Sequence, residues 1–301
     1  MSQEAVEQSS SFKIASKLQD YKLLIKFNLS FMVVFSAVIS YLLAPKVTVF
    51  DWKAIMLLFL GGMLVTGSAN AINQIVEKDT DALMKRTANR PVASGRMSER
   101  EAWTFAIFAG IAGTLALWHF NFLTAALGVF SLFLYAFIYT PLKKISSVAV
   151  LVGAIPGALP CLIGWAAGND DLSAGGWALA AIQFFWQFPH FWAIAWIAHK
   201  DYSMAGFKLL PSREGPSRFS AIQAIIYSLL LLPVGVLPYL IGMSGRISLV
   251  ILFVANILMV WQCVKLYREM TVTAARRVMF SSYIYLPVVL LALLIDKTQI
   301  I

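Results

Sequence analysis

A chain of 301 residues, 59% hydrophobic and only 13% charged, is unlike a soluble globular domain, which is nearer half apolar and a quarter charged. Its net charge of +9 comes in short clusters between apolar runs, without the continuous basic stripe or soluble module of a nucleic-acid binder. Cys161 and Cys263, its two cysteines, both fall inside apolar runs, which argues against a disulfide framework and against a thiolate metal site.

In chain order, a polar tail over 1–23 carries Ser9, Ser10, Ser11, Lys13 and Lys17. It has no apolar core or small-residue cleavage site, so no removable leader is expected. A single transmembrane domain is expected over 24–301. It contains nine runs, Leu24–Leu43, Ala54–Val76, Ala102–Trp118, Phe122–Thr140, Ser146–Ala167, Gly176–Ala198, Ser220–Ile241, Ile247–Lys265 and Val278–Ile295. Each is long enough to cross about 30 Å of hydrocarbon as a helix.

The second run ends in a polar segment, Asn70-Ala-Ile-Asn73-Gln-Ile-Val-Glu77-Lys-Asp79-Thr-Asp81. If the helix persists, Asn70, Asn73, Glu77 and Asp81 share an arc of about 80°, whereas Asp79 points elsewhere. Carboxylates at a membrane boundary are costly unless they are paired or bind a cation. Two carboxylates with amides suit Mg²⁺, which completes its shell with water and substrate phosphates. Arg86, Asn89 and Arg90 follow and can donate to phosphate oxygens. The plainer alternative is a solvated loop whose basic residues serve topology and whose acids pair with them.

The fourth run ends in Tyr139-Thr-Pro141-Leu-Lys143-Lys144, lysines that could approach a diphosphate as point charges. The fifth carries Gly153, Pro156, Gly157 and Pro160, a broken helix with close backbone approach. The sixth reads Gln183-Phe-Phe-Trp186-Gln187-Phe-Pro189-His190-Phe191-Trp192, then His199-Lys200-Asp201-Tyr202. Gln183, Gln187, His190 and Asp201 form a second polar stripe at helical spacing. His190 can ligate haem iron or stabilise charge, or can simply hydrogen-bond a neighbouring helix. His199 and His119 read as interfacial.

Nine spans place twenty of the 24 lysines and arginines on one side, leaving Lys46, Lys53, Arg246 and Lys297 on the other. By the positive-inside rule the basic side, with the N-terminus and both polar constellations, is cytoplasmic and the C-terminus lies opposite.

These linked motifs, from about Lys26 to Pro211, resemble the UbiA-type intramembrane prenyltransferase superfamily, with its Asn-x-x-x-Asp-x-x-x-Asp signature after the second helix. Within it they are most similar to the branch that farnesylates haem. The resemblance rests on Asn73…Glu77…Asp81 with Met84-Lys-Arg86-Thr-Ala-Asn89-Arg90-Pro91, Tyr139-Thr-Pro-Leu-Lys143-Lys144, Trp186-Gln-Phe-Pro189-His190-Phe191 and Lys200-Asp201-Tyr202. Glu77 departs from the usual aspartate, a second acidic motif is reduced to Asp201, and Phe27-Asn28 stands where a Pro-Arg pair is expected.

The resemblance implies an all-α polytopic membrane protein, its helix bundle surrounding a central cavity open to the cytoplasm. The absence of an Arg-rich amphipathic leader points to a bacterial inner membrane. It implies farnesyl transfer from farnesyl diphosphate to a vinyl group of haem b, giving haem O. Asn73, Glu77, Asp81 and Asp201 would hold Mg²⁺. Arg86, Asn89, Arg90, Tyr139, Lys143, Lys144 and Lys200 would meet the diphosphate, and His190 the haem. Contact with a haem A synthase or a terminal oxidase assembly is a further implied partner. Two other readings stay open. A prenyltransferase for a quinone precursor or chlorophyll-like ring would not need His190. A membrane transporter would also place polar residues in broken helices.

Overall fold

The computed structural model describes residues 16–212 and 214–298. Of the polar tail expected over 1–23, residues 16–23 are helical. Residues 1–15, including Lys13, and Arg213 in the basic tally lie outside the described residues.

The chain is a helical bundle, with a lone bridge between Ser244 and Lys297 as its only β-type pairing among the described residues. Helix α1 (Ser16–Leu24) runs into α2 (Phe27–Leu43) through a 52° bend. At the bend Lys26 adopts left-handed backbone angles, φ 49° and ψ 57°. The next helices are α3 (Trp52–Val76), α4 (Lys78–Leu83) and α5 (Glu99–Trp118). Helix α6 (Phe122–Leu142) contains a π-helical stretch at Leu134–Tyr139. Then come α7 (Ala149–Asn169), α8 (Ala174–Ile197), α9 (His199–Met204), α10 (Arg218–Leu240), α11 (Arg246–Glu269) and α12 (Val272–Ile295).

Seven of these are long and apolar enough to cross a membrane, among the described residues, and the bent pair α1–α2 would make an eighth. Helix α8 has 24 residues but is not one of the seven. Gln183, Gln187, Pro189 and His190 interrupt its apolar run. Helix α12 begins six residues before the expected Val278, because Thr271 caps it by accepting from the Ala274 amide at 3.1 Å. An apolar run marks the hydrocarbon, whereas a cap marks the helix, and here they differ.

The packing closes on itself. Helix α3 lies against α5, α2 against α7, and α7 against α8. Helix α8 touches α10 and α12, α11 bridges those two, and α12 returns to α2. Close approaches are made at glycines: a Cβ on Gly164 would sit 1.8 Å from the Ala37 carbonyl oxygen, and one on Gly157 1.9 Å from Gln187 Oε1. Between them, Ser40 Oγ donates to the Cys161 carbonyl at 2.6 Å. Small residues that let helix backbones meet are how helices associate where lipid gives little hydrophobic incentive.

Pro160 has no N–H for the Pro156 carbonyl, and Ser131 Oγ donates there instead at 3.3 Å. The Gln183 and Gln187 amides donate to the Gly157 and Ala154 carbonyls at 2.7 and 3.1 Å. The fifth run, expected as a broken helix, is instead one continuous helix, α7, because side chains stand in where its prolines lack an N–H. The second polar stripe is divided: its two glutamines serve α7, while His190 turns to α12.

The end of the bundle remote from the polar constellations is clamped by lysines. Lys297 Nζ donates to the carbonyls of Leu42, Ala44 and Val47 at 2.9, 3.0 and 3.1 Å, supplying partners for the terminal acceptors of α2. Lys46 Nζ does the same for Asn169 O at 2.7 Å.

Gly164→Ala is expected to force α2 from α7, since its methyl meets backbone and no side chain can yield. The cost is expected near the upper end of overpacking, about 3 kcal/mol. It is checked as a fall of several degrees in the unfolding midpoint of detergent-purified protein, followed by tryptophan fluorescence.

Candidate active site

Helix α3 stops at Val76, yet the carboxylates still converge. Glu77 sits between α3 and α4 with φ −97° and ψ 10°. The ladder nonetheless continues, Glu77 N to Asn73 O at 3.0 Å and Asp81 N to Glu77 O at 2.7 Å. Asn70, Asn73, Glu77 and Asp81 are all buried, and Asp79 is exposed. The shared face read from helical spacing thus survives the break, because only the local angles change and not the i to i−4 register.

Each acid is met by a cation from a different element. Lys143, just past α6, brings its Nζ to 2.5 Å from Glu77 Oε1. That contact is a close ion pair without hydrogen-bond alignment. Glu77 Oε2 accepts from Asn73 Nδ2 at 2.9 Å, and the same amide donates to Thr140 Oγ1 at 3.1 Å. Arg90 Nη1 donates to Asp81 Oδ2 at 2.6 Å. Asp81 Oδ1 is enclosed and meets no donor among the described residues.

Burial pushes the Asp81 carboxyl above the usual carboxylate range, against the pull of the Arg90 guanidinium. It pushes the Lys143 ammonium below its own range, with Glu77 opposing. The turns after α4 hold Arg90 in place: Thr87 Oγ1 donates to Asp81 O at 2.8 Å, and Arg96 reaches Asn89 O at 2.7 Å and Asp20 Oδ1 at 2.9 Å.

Lys26 enters the same cluster, donating to Asn73 Oδ1 at 2.8 Å and to Tyr135 Oη at 3.4 Å. Sequence reasoning counted it as a topology lysine and noted a missing basic contact beside it. From the left-handed bend, Lys26 itself brings a cation to the cluster. A non-glycine residue in that region is strained, and such strain concentrates at functional sites. A lysine inside the apolar run Leu23–Phe27 was the available signal.

The wall opposite is aromatic. The Lys143 ammonium lies 4.9 Å from the Tyr139 ring centroid and 5.2 Å from that of Phe207. Arg86 lies 5.7 Å from the Tyr202 ring centroid and donates to its hydroxyl at 3.2 Å. Tyr135, Thr140 and Phe207 were not singled out in the sequence. The π-helical stretch that aims Tyr135 and Tyr139 has no simple sequence signature, though such insertions recur at functional sites.

The remaining expected residues are placed less closely. Asn89, Lys144 and Lys200 are exposed, and Asp201 is half-buried beside Tyr202 with no ion pair among the described residues. No group of three or more His, Cys, Asp or Glu residues is near enough to hold a metal among the described residues. The donor set for a cation is thus Glu77 and Asp81 with the Asn73 amide oxygen, hard oxygen ligands of the kind Mg²⁺ takes alongside phosphate. The unpartnered Asp81 Oδ1 fits that use. Two cavities, of about 880 and 760 Å³, lie elsewhere, one between α1 and α5 and one at the remote end beside Lys297.

Buried oxygen donors ringed by lysine and arginine at the end of a helical bundle have the chemistry that a metal-bound polyphosphate requires. The family model for the UbiA prenyltransferase family matches residues 33–285. The chain belongs to the UbiA prenyltransferase family. It is 46% identical to a protoheme IX farnesyltransferase of Cytophaga hutchinsonii, over 94% of this chain and 99% of that one.

Among solved structures, one described as giving insights into digeranylgeranylglyceryl phosphate synthase superposes with a TM-score of 0.78 at 21% identity, covering 93% of this chain and 98% of that one. A UbiA homologue of Archaeoglobus fulgidus bound to GPP and Mg²⁺ gives 0.70 at 16% identity, covering 91% and 99%. At these identities the likeness is one of fold.

Lys143→Gln and Lys144→Gln are expected to separate two neighbouring lysines. The first removes the cation on Glu77 and should lower the rate of prenyl transfer on the order of 10²-fold. The second alters an exposed rim lysine, and losing its solvent-screened contact with the diphosphate should change the rate by no more than about fivefold. Diphosphate release from a prenyl diphosphate measures both.

Proposed function

We propose that this protein transfers a farnesyl group from farnesyl diphosphate to a vinyl group of haem b, giving haem O. The observation that carries the reading is the Asn73, Glu77 and Asp81 cluster with Lys26, Lys143 and Arg90 around it. It is supported by 46% identity along nearly the whole chain to a protein named for this reaction.

Glu77 and Asp81, with Asn73, would hold Mg²⁺; Asp201, not grouped with them in this structure, would have to approach with the bound diphosphate. When bound, the ion screens the diphosphate charge and makes it a better leaving group. The Mg²⁺ present in the Archaeoglobus fulgidus homologue is consistent with this. Lys143 and Arg90 would turn from the carboxylates to the phosphate oxygens, joined by Lys26 and Arg86. Asn89, Lys144 and Lys200 would receive the diphosphate at the rim. That exchange would open the central cavity on the basic side.

The diphosphate leaves with the bonding electrons of its C–O bond. The resulting allylic cation accepts the π-electrons of a haem vinyl group, and water then adds to the vinyl carbon and gives up a proton. The faces of Tyr139, Tyr202 and Phe207 stabilise positive charge and keep water from the allylic cation until the new bond forms. His190, on α8, is assigned to the haem.

Nine membrane crossings are inferred: the seven apolar helices, the bent pair α1–α2, and α8. Lys26 with Asn73 ties the start of α2 to the end of α3, and Lys297 ties the end of α2 to the end of α12. Such contacts fit successive crossings in opposite directions. With the basic loops cytoplasmic, the site opens to the cytoplasm and the C-terminus lies on the other side.

Purified protein incubated with haem b, farnesyl diphosphate and Mg²⁺ is expected to yield a farnesylated haem by mass analysis, and the Asp81→Ala variant none. Diphosphate release with a phenolic acceptor but not with haem would move the acceptor to a quinone precursor. Consumption of no prenyl diphosphate with any acceptor would defeat the enzymatic reading.

A further inference from the structure

His190 has one hydrogen bond among the described residues, Nδ1 to Ser282 Oγ at 2.7 Å. The direction of that bond can be deduced. Ser282 Oγ has a single hydrogen, and it is donated to the Met279 carbonyl at 2.6 Å. Toward His190 the hydroxyl is therefore an acceptor, and the imidazole must carry its proton on Nδ1. Nε2 is left as a bare lone pair. It has no hydrogen-bond partner among the described residues, and His190 keeps 8% of its surface exposed.

The ring is also held in orientation. It stacks on Trp186, centroids 4.9 Å apart and planes 17° from parallel. Trp186 is itself tied by Nε1 to the Ser282 carbonyl at 2.9 Å. Phe191 and Tyr283 flank the imidazole at 5.4 and 5.2 Å. A histidine that only joined two helices would need neither a fixed tautomer nor an open nitrogen. A metal-binding histidine has both, its other ring N–H being donated to a fixed acceptor that sets the tautomer and ring angle. The aromatic surround suits a flat, apolar macrocycle.

We propose that His190 Nε2 is an axial ligand of the haem iron, and that Ser282 is the positioning residue that holds the imidazole in the ligating tautomer. This rests on haem being the acceptor. His190 lies seven residues before the end of α8, a depth of about 10 Å along the axis. Binding the iron there would hold the macrocycle within the bilayer, below the diphosphate cluster.

The test is resonance Raman spectroscopy of ferrous haem b bound to the purified full chain, read for the iron–histidine stretching band, with farnesylated haem measured on the same preparations. Wild type should show the band and His190→Ala should lose it. Exogenous imidazole added to His190→Gly should restore it. Ser282→Ala should shift or broaden the band and weaken haem binding about 10- to 100-fold, and Ser282→Thr, which keeps the hydroxyl, should recover both. His199→Ala, whose ring reaches Ser203 at 3.5 Å outside this arrangement, should leave the band unchanged.

Persistence of the band in His190→Ala, or its absence from wild type that still farnesylates haem, would overturn the ligation while leaving the proposed function standing. An unshifted band in Ser282→Ala would overturn the positioning role alone. Failure of wild type to farnesylate haem at all would remove both.

Discussion

The arrangement at one end of the bundle is governed by the cost of burying charge. Glu77 and Asp81 are enclosed by protein at a membrane boundary, where an unpaired carboxylate is costly. Neutralising them draws in Lys143 from the end of α6, Arg90 from the turns beyond α4, and Lys26 onto Asn73 from the bend between α1 and α2. Each of these local features is otherwise hard to explain. The left-handed lysine, the π-helical stretch before Pro141 and the tightly bonded turns around Arg90 all bring a cation, or the groups beside it, to the acids. The same cations are the ones a diphosphate would require, so the ion pairs and the contacts proposed for the diphosphate would draw on one set of side chains.

Behind the site, the bundle tolerates prolines and glycines because side chains take over what the backbone loses. Ser131 reaches the carbonyl that Pro160 leaves open, and Gln183 and Gln187 attach α8 to α7. Glycine at 157 and 164 brings the backbones close enough for this. The remote end is tied by Lys297 and Lys46 to terminal carbonyls of α2 and α7. A framework closed in this way can hold functional groups at a fixed spacing, which favours a chemistry that depends on orientation and electrostatics.

The two polar stripes also divide their work. The first collects every acid and cation of the cluster. The second separates, its glutamines serving α7 and its histidine facing α12. A polar residue inside a span is a functional candidate by default. Gln183 and Gln187 are explained by their backbone partners, whereas His190 keeps an open nitrogen that its own hydrogen bond does not use.

Much of this was legible in the sequence. Composition and run length dictate an all-helical membrane protein, since a lipid-spanning backbone is satisfied only in helices or closed barrels, and these runs are too long and too uniformly apolar for barrel strands. Helical spacing alone puts Asn70, Asn73, Glu77 and Asp81 on one face, and that depends only on local geometry. The partners of these acids were not legible. Arg90 and Lys143 were two among many basic residues, and nothing in one dimension distinguishes Lys143, which is buried on Glu77, from exposed Lys144. Lys26 lies 47 positions from Asn73, and Ser282 lies 92 from His190. Such contacts are set by which helix faces meet, and glycines such as Gly164 and a bend at Lys26 decide that. Local sequence determined the helices and the acidic stripe, while tertiary packing chose the cations that neutralise it and the nitrogen that His190 leaves free.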